Sequence, residues 1–282
     1  MITCNLMGGL GNQIFQIFAT ISYGIKSNKP FKFFNVKKLG GGSTTIRYTF
    51  WETFFSNLNP FLISEIPLNI EVVREKGFTY NVIPIKNNPS QNIMLYGYFQ
   101  SYKYFHDNYN QICRLIGLEK MKDILLKKIN FSNEYLSNCT SMHFRIGDYK
   151  KIQHYHPLAT YEYYERALTH IQRVNLNINY NILYFCEDDD IEDVLIIINK
   201  LSDKFSDYSF NRGTNTLEDW EQMLLMSCCH NNIIANSSFS WWSAYFNSWQ
   251  DKIVCYPSVW FGEVAKIDTK DLCPQEWVKI FV

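Results

Sequence analysis

Two hydrophobic periods alternate along this chain, and they divide it into strands and helices. In the opening ITCNLMGGLGNQIFQIFATISYGI, a short apolar run gives way to glycines, then to Ile14, Phe15, Ile17, Phe18 and Ile21 on one helical face. The pattern predicts a strand, a Gly-rich turn and a helix from about Asn12. Residues 31–92 are less regular. PFKFFNV predicts a strand, GGGSTT a flexible loop, and YTFWETFF fits helix or strand equally. NIMLYGYF predicts a buried strand, and SYKYFHDNYNQICRLIG helical material with Ile112, Leu115 and Ile116 on one side.

Beyond residue 130 the alternation sharpens. Strands CTSMHFRI, YNILYFC, NIIAN and KIVCYP are interleaved with helices TYEYYERALTHIQ, DIEDVLIIINK, TLEDWEQMLLMSCC and FSWWSAYFNSW. Such a succession predicts an α/β fold with a parallel sheet covered on both faces. Ligands of such sheets bind beyond the carboxyl ends of the strands. The expected division is an N-terminal lobe, 1–133, and a C-terminal lobe, 134–282.

Composition narrows the function. The 282 residues carry 27 basic and 27 acidic side chains, so no whole-chain field draws in nucleic acid or an anionic membrane. Any anion site must be local. Aromatics make up 17% of the chain, enough to fill a core and also to stack on sugars. Eight cysteines without framework spacing or CxxC pairs point to buried thiols in a reducing compartment. No apolar run reaches the roughly 18–20 residues of a membrane span, and MITCNL lacks the features of a signal peptide. The expectation is a soluble cytoplasmic protein.

Four loops carry candidate chemistry. The first contains Gly9, Gly11 and Asn12, where glycines and a helix start either admit a phosphate or merely form a tight turn. The second is HFRIGDY. Strand alternation puts His143 and Arg145 on one face and Phe144 and Ile146 on the other. Arg145 is a natural clamp for a diphosphate; the bland alternative is a structural ion pair with Asp148 and a core histidine at His143. The third is the hydroxyl-rich helix start at Ser237, Ser238 and Phe239, which suits a phosphate or simply caps the helix. The fourth is Glu187-Asp188-Asp189-Asp190, either a cradle for a divalent cation on a nucleotide diphosphate or acidic capping of the next helix. Capping is preferred, because Arg145 and two helix termini can neutralise a diphosphate without a metal.

The order of the motifs says more than any one of them. GGLGNQIFQ, GYFQSYKYF, HFRIGDY, HPLATYEYY and CCHNNIIANSSFSWWSAYFN together resemble the α-1,2-fucosyltransferases of glycosyltransferase family 11, most weakly over residues 30–90. The resemblance implies inverting transfer of L-fucose from GDP-β-L-fucose to the 2-hydroxyl of a galactose-type sugar, with no metal or other cofactor. It implies a GT-B-like fold: two Rossmann-type lobes with the active site in the cleft between them.

By the same resemblance, the family's His-x-Arg-Arg-x-Asp-Tyr motif falls on His143, Arg145, Ile146, Asp148 and Tyr149, with isoleucine in place of the second arginine. Arg145 would hold the leaving diphosphate and His143 a phosphate or ribose oxygen. Gly9, Gly11, Asn12, Ser237, Ser238 and Phe239 would complete the donor site. Asp148 would take the acceptor proton or orient Arg145. Two other expectations stay open: a metal-dependent glycosyltransferase using Asp188 to Asp190, and a sugar-binding module that transfers nothing.

Overall fold

Two parallel sheets, one in each half of the chain, organise the protein. The computed structural model describes residues 1–40, 46–86, 88, 90–174, 181–214 and 216–281. Residues 41–45 of the GGGSTT stretch, and Tyr180 at the start of YNILYFC, lie outside the described residues. Tertiary contacts separate one unit, Met1–Lys120 with Ile267–Pro274, from a second, Met121–Lys266 with Gln275–Val282. The division thus precedes the expected 133/134 boundary. Residues 121–133 belong to the second unit because Lys122 donates to the Phe246 carbonyl at 2.7 Å and Lys128 pairs with Glu221 at 2.7 Å.

The first unit begins with β1 (Ile2–Cys4) and α1 (Leu10–Lys26), followed by the short strands β2 (Phe33–Phe34), β3 (Lys38–Leu39), β4 (Arg47–Tyr48) and β5 (Leu62–Ile63). Two longer strands, β6 (Ile70–Arg74) and β7 (Asn92–Tyr96), precede α2 (Tyr109–Ile116). β1, β7 and β6 form a parallel sheet in that order. The predicted apolar face of α1 is wholly buried, and the helix begins at Leu10 rather than Asn12. Apart from Tyr48, which ends β4, YTFWETFF is neither helix nor strand; its turns bury Trp51, Phe54 and Phe55.

After α3 (Leu118–Ile129) and α4 (Asn133–Ser137), the second unit runs β8 (Cys139–His143), α5 (Tyr161–Val174), β9 (Asn181–Phe185), α6 (Ile191–Lys204), β10 (Ser209–Arg212) and α7 (Asp219–Cys228). It closes with β11 (Asn231–Ile233), α8 (Ser238–Phe246), β12 (Val254–Pro257) and β13 (Val278–Ile280). The sheet order is β10-β9-β8-β11-β12-β13, all parallel. Counted from β8, that is 3-2-1-4-5-6, the order of the dinucleotide-binding Rossmann sheet. Its switch point lies between β8 and β11. Both units are therefore Rossmann-type α/β lobes, as expected for a GT-B-like chain.

The polar run HNNI looks wrong for a central strand, but its amides are satisfied inside. Asn232, fully buried, donates to Ser141 Oγ at 2.7 Å and to the Met226 carbonyl at 2.8 Å, and accepts from Asn247 at 2.7 Å. This network joins β8 and β11 to α7 and α8 and fixes the spacing of the two site-bearing strands. On the other face, buried Tyr163 of α5 donates to the carbonyls of Ile234 and Cys255, at 2.5 and 3.0 Å. Tyr164 reaches the His143 carbonyl at 3.0 Å.

Among the described residues, no helix is long and apolar enough to cross a membrane. Tyr163→Phe keeps the ring but removes the hydroxyl donor from the buried Ile234 carbonyl, while the Cys255 carbonyl keeps the Ile234 N–H, so a loss of about 1–3 kcal/mol is expected. Thermal unfolding checks this; an unchanged midpoint would show that the hydroxyl does not tie the strands together.

Candidate active site

The alternation expected in HFRIGDY is present, although the strand is shorter than predicted. β8 stops at His143 because β9 ends at Phe185; one further ladder bond, from Phe144 N–H to the Phe185 carbonyl at 2.8 Å, completes the pairing. Met142, Phe144 and Ile146 enter the core beside Tyr164, Ile198 and Ile233. His143 and Arg145 are left on the opposite side. Ile146, where the family's second arginine is usual, is 8% exposed within that apolar cluster.

His143 is buried and lies against Phe239, with ring centroids 5.5 Å apart. Burial, reinforced by the nearby Arg145 charge, pushes its pKa down to about 3. The imidazole is therefore neutral at physiological pH, a hydrogen-bonding group rather than a second cation. Its Nδ1 has no hydrogen-bond partner. In the loop after β11, Asn236 is also buried; its amide donates to the carbonyls of Pro157 and Trp260 at 2.9 and 3.1 Å while its Oδ1 has no partner. Unpartnered buried polar atoms are uncommon and call for an explanation. Here two of them lie at the ends of the strands that flank the switch point.

Arg145 is held from three directions. Its guanidinium bonds Glu187, bonds Asp148 at 2.5 Å, and lies over the Tyr149 ring, 5.0 Å from the centroid. Burial alone would lower its pKa, but Asp148 and Glu187 outweigh it and raise the value. Tyr149 in turn stacks on His156, with centroids 4.5 Å apart, and its hydroxyl donates to the Asn236 carbonyl at 3.3 Å. This arrangement contains the ion pair of the bland reading and still presents a planar, permanently charged donor at a strand end.

Beside it, Ser237 caps α8, its hydroxyl accepting from the Phe239 N–H at 3.3 Å, while Ser238 and Phe239 are half-buried in the first turn. The positive end of the α8 dipole thus stands next to His143. A guanidinium, a neutral imidazole and a helix start at one switch point suit a phosphate-bearing ligand.

The acidic run does lead into α6, with Asp190 at its N-cap position, but its side chains are engaged elsewhere. Neither Glu187 nor Asp190 makes a side-chain capping bond. Instead Glu187 bonds Arg145 and Asp188 bonds Arg212. Asp190, 3% exposed, accepts from Gly147 N–H at 2.6 Å and pairs with Lys150 at 3.2 Å, which fixes the turn after Arg145. Among the described residues, no three His, Cys, Asp or Glu side chains are gathered as metal ligands would be.

Gly9, Gly11 and Asn12 lie elsewhere, at the carboxyl end of β1 in the first unit. Gly9 precedes α1 and Gly11 is buried in its first turn. The glycine that the turn requires is Gly8, at φ +76°, where a Cβ would lie 2.4 Å from Asn12 Nδ2. Asn12 Oδ1 accepts from Gln100 Nε2 at 2.7 Å. Gln16 bonds Met7 N–H at 2.9 Å, and Gln13 donates to the Gly8 carbonyl at 3.0 Å. Glu187, Tyr149, His156, Asn236 and Gln100 escaped assignment as site residues. All but Glu187 sit inside the motifs that carried the family resemblance, and Glu187 was weighed only as a metal ligand or cap.

The model of glycosyl transferase family 11 matches residues 75–280. An Escherichia coli alpha-1,2-colitosyltransferase is 28% identical, over 99% of each chain. The Escherichia coli O-antigen biosynthesis glycosyltransferase WbnK is 30% identical over 66% of this chain and 60% of its own. Among solved structures, Escherichia coli ADP-heptose lps heptosyltransferase II aligns at a TM-score of 0.37 and 13% identity, covering 57% of this chain and 43% of that one. The chain is a glycosyltransferase. It belongs to glycosyl transferase family 11.

The depressed His143 pKa has a consequence for stability. Between about pH 6.5 and 3 the unfolded chain binds a proton that the folded protein excludes, so stability falls as pH drops through that window. In urea titrations at pH 7.5 and 4.5, His143→Gln should lose less stability on acidification than the wild type. An equal loss would contradict the buried neutral imidazole.

Proposed function

We propose that this protein transfers L-fucose from GDP-β-L-fucose to the 2-hydroxyl of a galactose-type acceptor, with inversion at the anomeric carbon. Membership of family 11 and an α-1,2-transferring relative aligned over 99% of both chains support the linkage. The observation that carries the donor assignment is Arg145 beside the α8 N-terminus at the switch point of a 3-2-1-4-5-6 sheet.

Cleavage of the bond between fucose C1 and the diphosphate places negative charge on the leaving GDP. Donors that grip the diphosphate harder as this charge grows lower the barrier. Arg145 and the first turn of α8, at Ser237, Ser238 and Phe239, have this role. His143 supplies a neutral hydrogen bond to a phosphate or ribose oxygen, and Gly9, Gly11 and Asn12 belong to the substrate-binding set of the first unit. For Asp148, the 2.5 Å bond to Arg145 supports orientation of the guanidinium over proton abstraction.

No metal or other cofactor takes part in this proposal. Glu187, Asp188 and Asp190 are each committed to a basic side chain, which favours neutralisation of the diphosphate by Arg145 and the helix terminus. A cytoplasmic setting accords with the buried thiols of Cys4, Cys139, Cys229 and Cys255.

The colitosyltransferase relative supports a second reading, in which the sugar transferred is colitose, L-fucose lacking its 3-hydroxyl. Rates with GDP-fucose and GDP-colitose, with the product linkage determined by NMR, decide between the two. Arg145→Ala should lower kcat at least a hundredfold, the scale expected for loss of a transition-state charge donor. EDTA should leave the wild-type rate unchanged. Near-normal turnover of Arg145→Ala, or activity lost in EDTA and restored by Mn²⁺, would overturn the respective assignments.

A further inference from the structure

The first unit holds a carboxylate that its chain has been bent to accommodate. Glu75 directly follows β6, at the carboxyl end of the parallel sheet β1-β7-β6, where ligands of such sheets bind. One of its oxygens, Oε2, accepts two backbone N–H groups from the loop after β7, Tyr98 at 2.7 Å and Phe99 at 3.0 Å. Phe99 makes this possible by adopting φ +51°, a left-handed conformation that is costly for a bulky residue. Gly97 makes room for it: a Cβ there would lie 2.3 Å from Glu75 Cβ and 2.6 Å from Oε2. The next residue, Gln100, holds Asn12 of the Gly-rich loop. The loops after all three strands thus converge on a small polar surface.

Glu75 forms no ion pair with a lysine or arginine among the described residues. Burial holds its carboxyl above the ordinary range, and the two backbone bonds offset this only in part. Its acidic and basic surroundings are Arg74, which stacks on Tyr96, and beyond Tyr104 the Lys103–Asp271 pair with Tyr80. Tyr98, whose N–H holds the carboxylate, is 41% exposed. A carboxylate accepts hydrogen bonds from hydroxyls and repels phosphate, whereas an exposed aromatic ring packs against the C–H face of a pyranose. Of the two substrates of a glycosyltransferase, the nucleotide-bearing one is disfavoured here by charge. The neutral polyhydroxyl one fits.

Resting on the proposed function, we infer that Glu75 and Tyr98 form a subsite for the acceptor sugar: Glu75 accepts a hydrogen bond from an acceptor hydroxyl and Tyr98 stacks on the ring. The two N–H groups bind Oε2, so Oε1 is directed to the ligand. The strained Phe99 backbone is the means of holding that carboxylate in place.

The test uses the full chain with GDP bound and lactose as the acceptor probe. Lactose binding is measured by saturation-transfer NMR, GDP binding by calorimetry and stability by thermal melting. Glu75→Gln retains a carbonyl oxygen for the two N–H groups, so it keeps the loop while removing the charge. Tyr98→Ala removes an exposed ring. Glu75→Gln should weaken lactose about tenfold or more, the scale of a lost hydrogen bond to a charged group, and Tyr98→Ala roughly fivefold for the lost ring contact, while GDP affinity and melting midpoint stay at wild-type values in both. Lactose affinity within twofold of wild type in both variants, or no lactose binding by the wild-type protein, overturns the subsite. Failure of the wild type to bind GDP strikes the donor assignment instead, which separates the two claims.

Discussion

The site depends on one constraint: alternate side chains at the end of β8 must be buried. Met142, Phe144 and Ile146 pack into a core with residues of α5 and α6, and this burial directs His143 and Arg145 to the other side. Core packing therefore aims the cation. It also accounts for the departure from the family motif at Ile146. A guanidinium at this 8% exposed position would have to leave water among apolar side chains, at a cost of several kcal/mol unless paired. Isoleucine adds instead to the cluster that holds the strand.

Around that cation the charges have separate tasks. Glu187 and Asp148 neutralise and orient Arg145, Asp190 secures the turn at Gly147, and Asp188 engages Arg212. An arginine fixed by two carboxylates and an aromatic face loses little freedom when it meets an anion. The carboxylates also keep the surroundings of the guanidinium near neutrality. His143 contributes no charge, because burial and its cationic neighbour hold it neutral. The hydrogen-bond donors of the site are the Arg145 guanidinium and the N–H groups of the α8 terminus.

Much of this was legible in the pattern of residues. The period-two alternation placed His143 opposite Phe144, the strand and helix succession beyond residue 130 gave the parallel α/β sheet of the second unit, and the Gly-rich loop announced the β1-to-α1 turn. The polar run in β11 was harder to interpret, because amides such as Asn232 are buried by satisfying one another across four elements, a relation that spacing along the chain does not record. Residues 31–92 stayed obscure because their strands are only two residues long except for β6, too short to set a period. Glu75 was invisible for a different reason. Its meaning depends on Gly97 and Phe99, more than twenty positions away in the sequence and brought alongside by the pairing of β6 with β7. The boundary at residue 120 was missed because it falls inside one continuous helix, α3, whose residues from Met121 on join the second unit through the contacts of Lys122 and Lys128.

The central claim is that the diphosphate of the donor lies between Arg145 and the first turn of α8. A crystal structure of the complex with GDP tests it most directly. Phosphate oxygens are expected on the Arg145 guanidinium and on the first turn of α8 at Ser238, with His143 within hydrogen-bonding distance of GDP. A GDP bound with its phosphates away from Arg145, or held by a metal on Asp188 and Asp190, would contradict it.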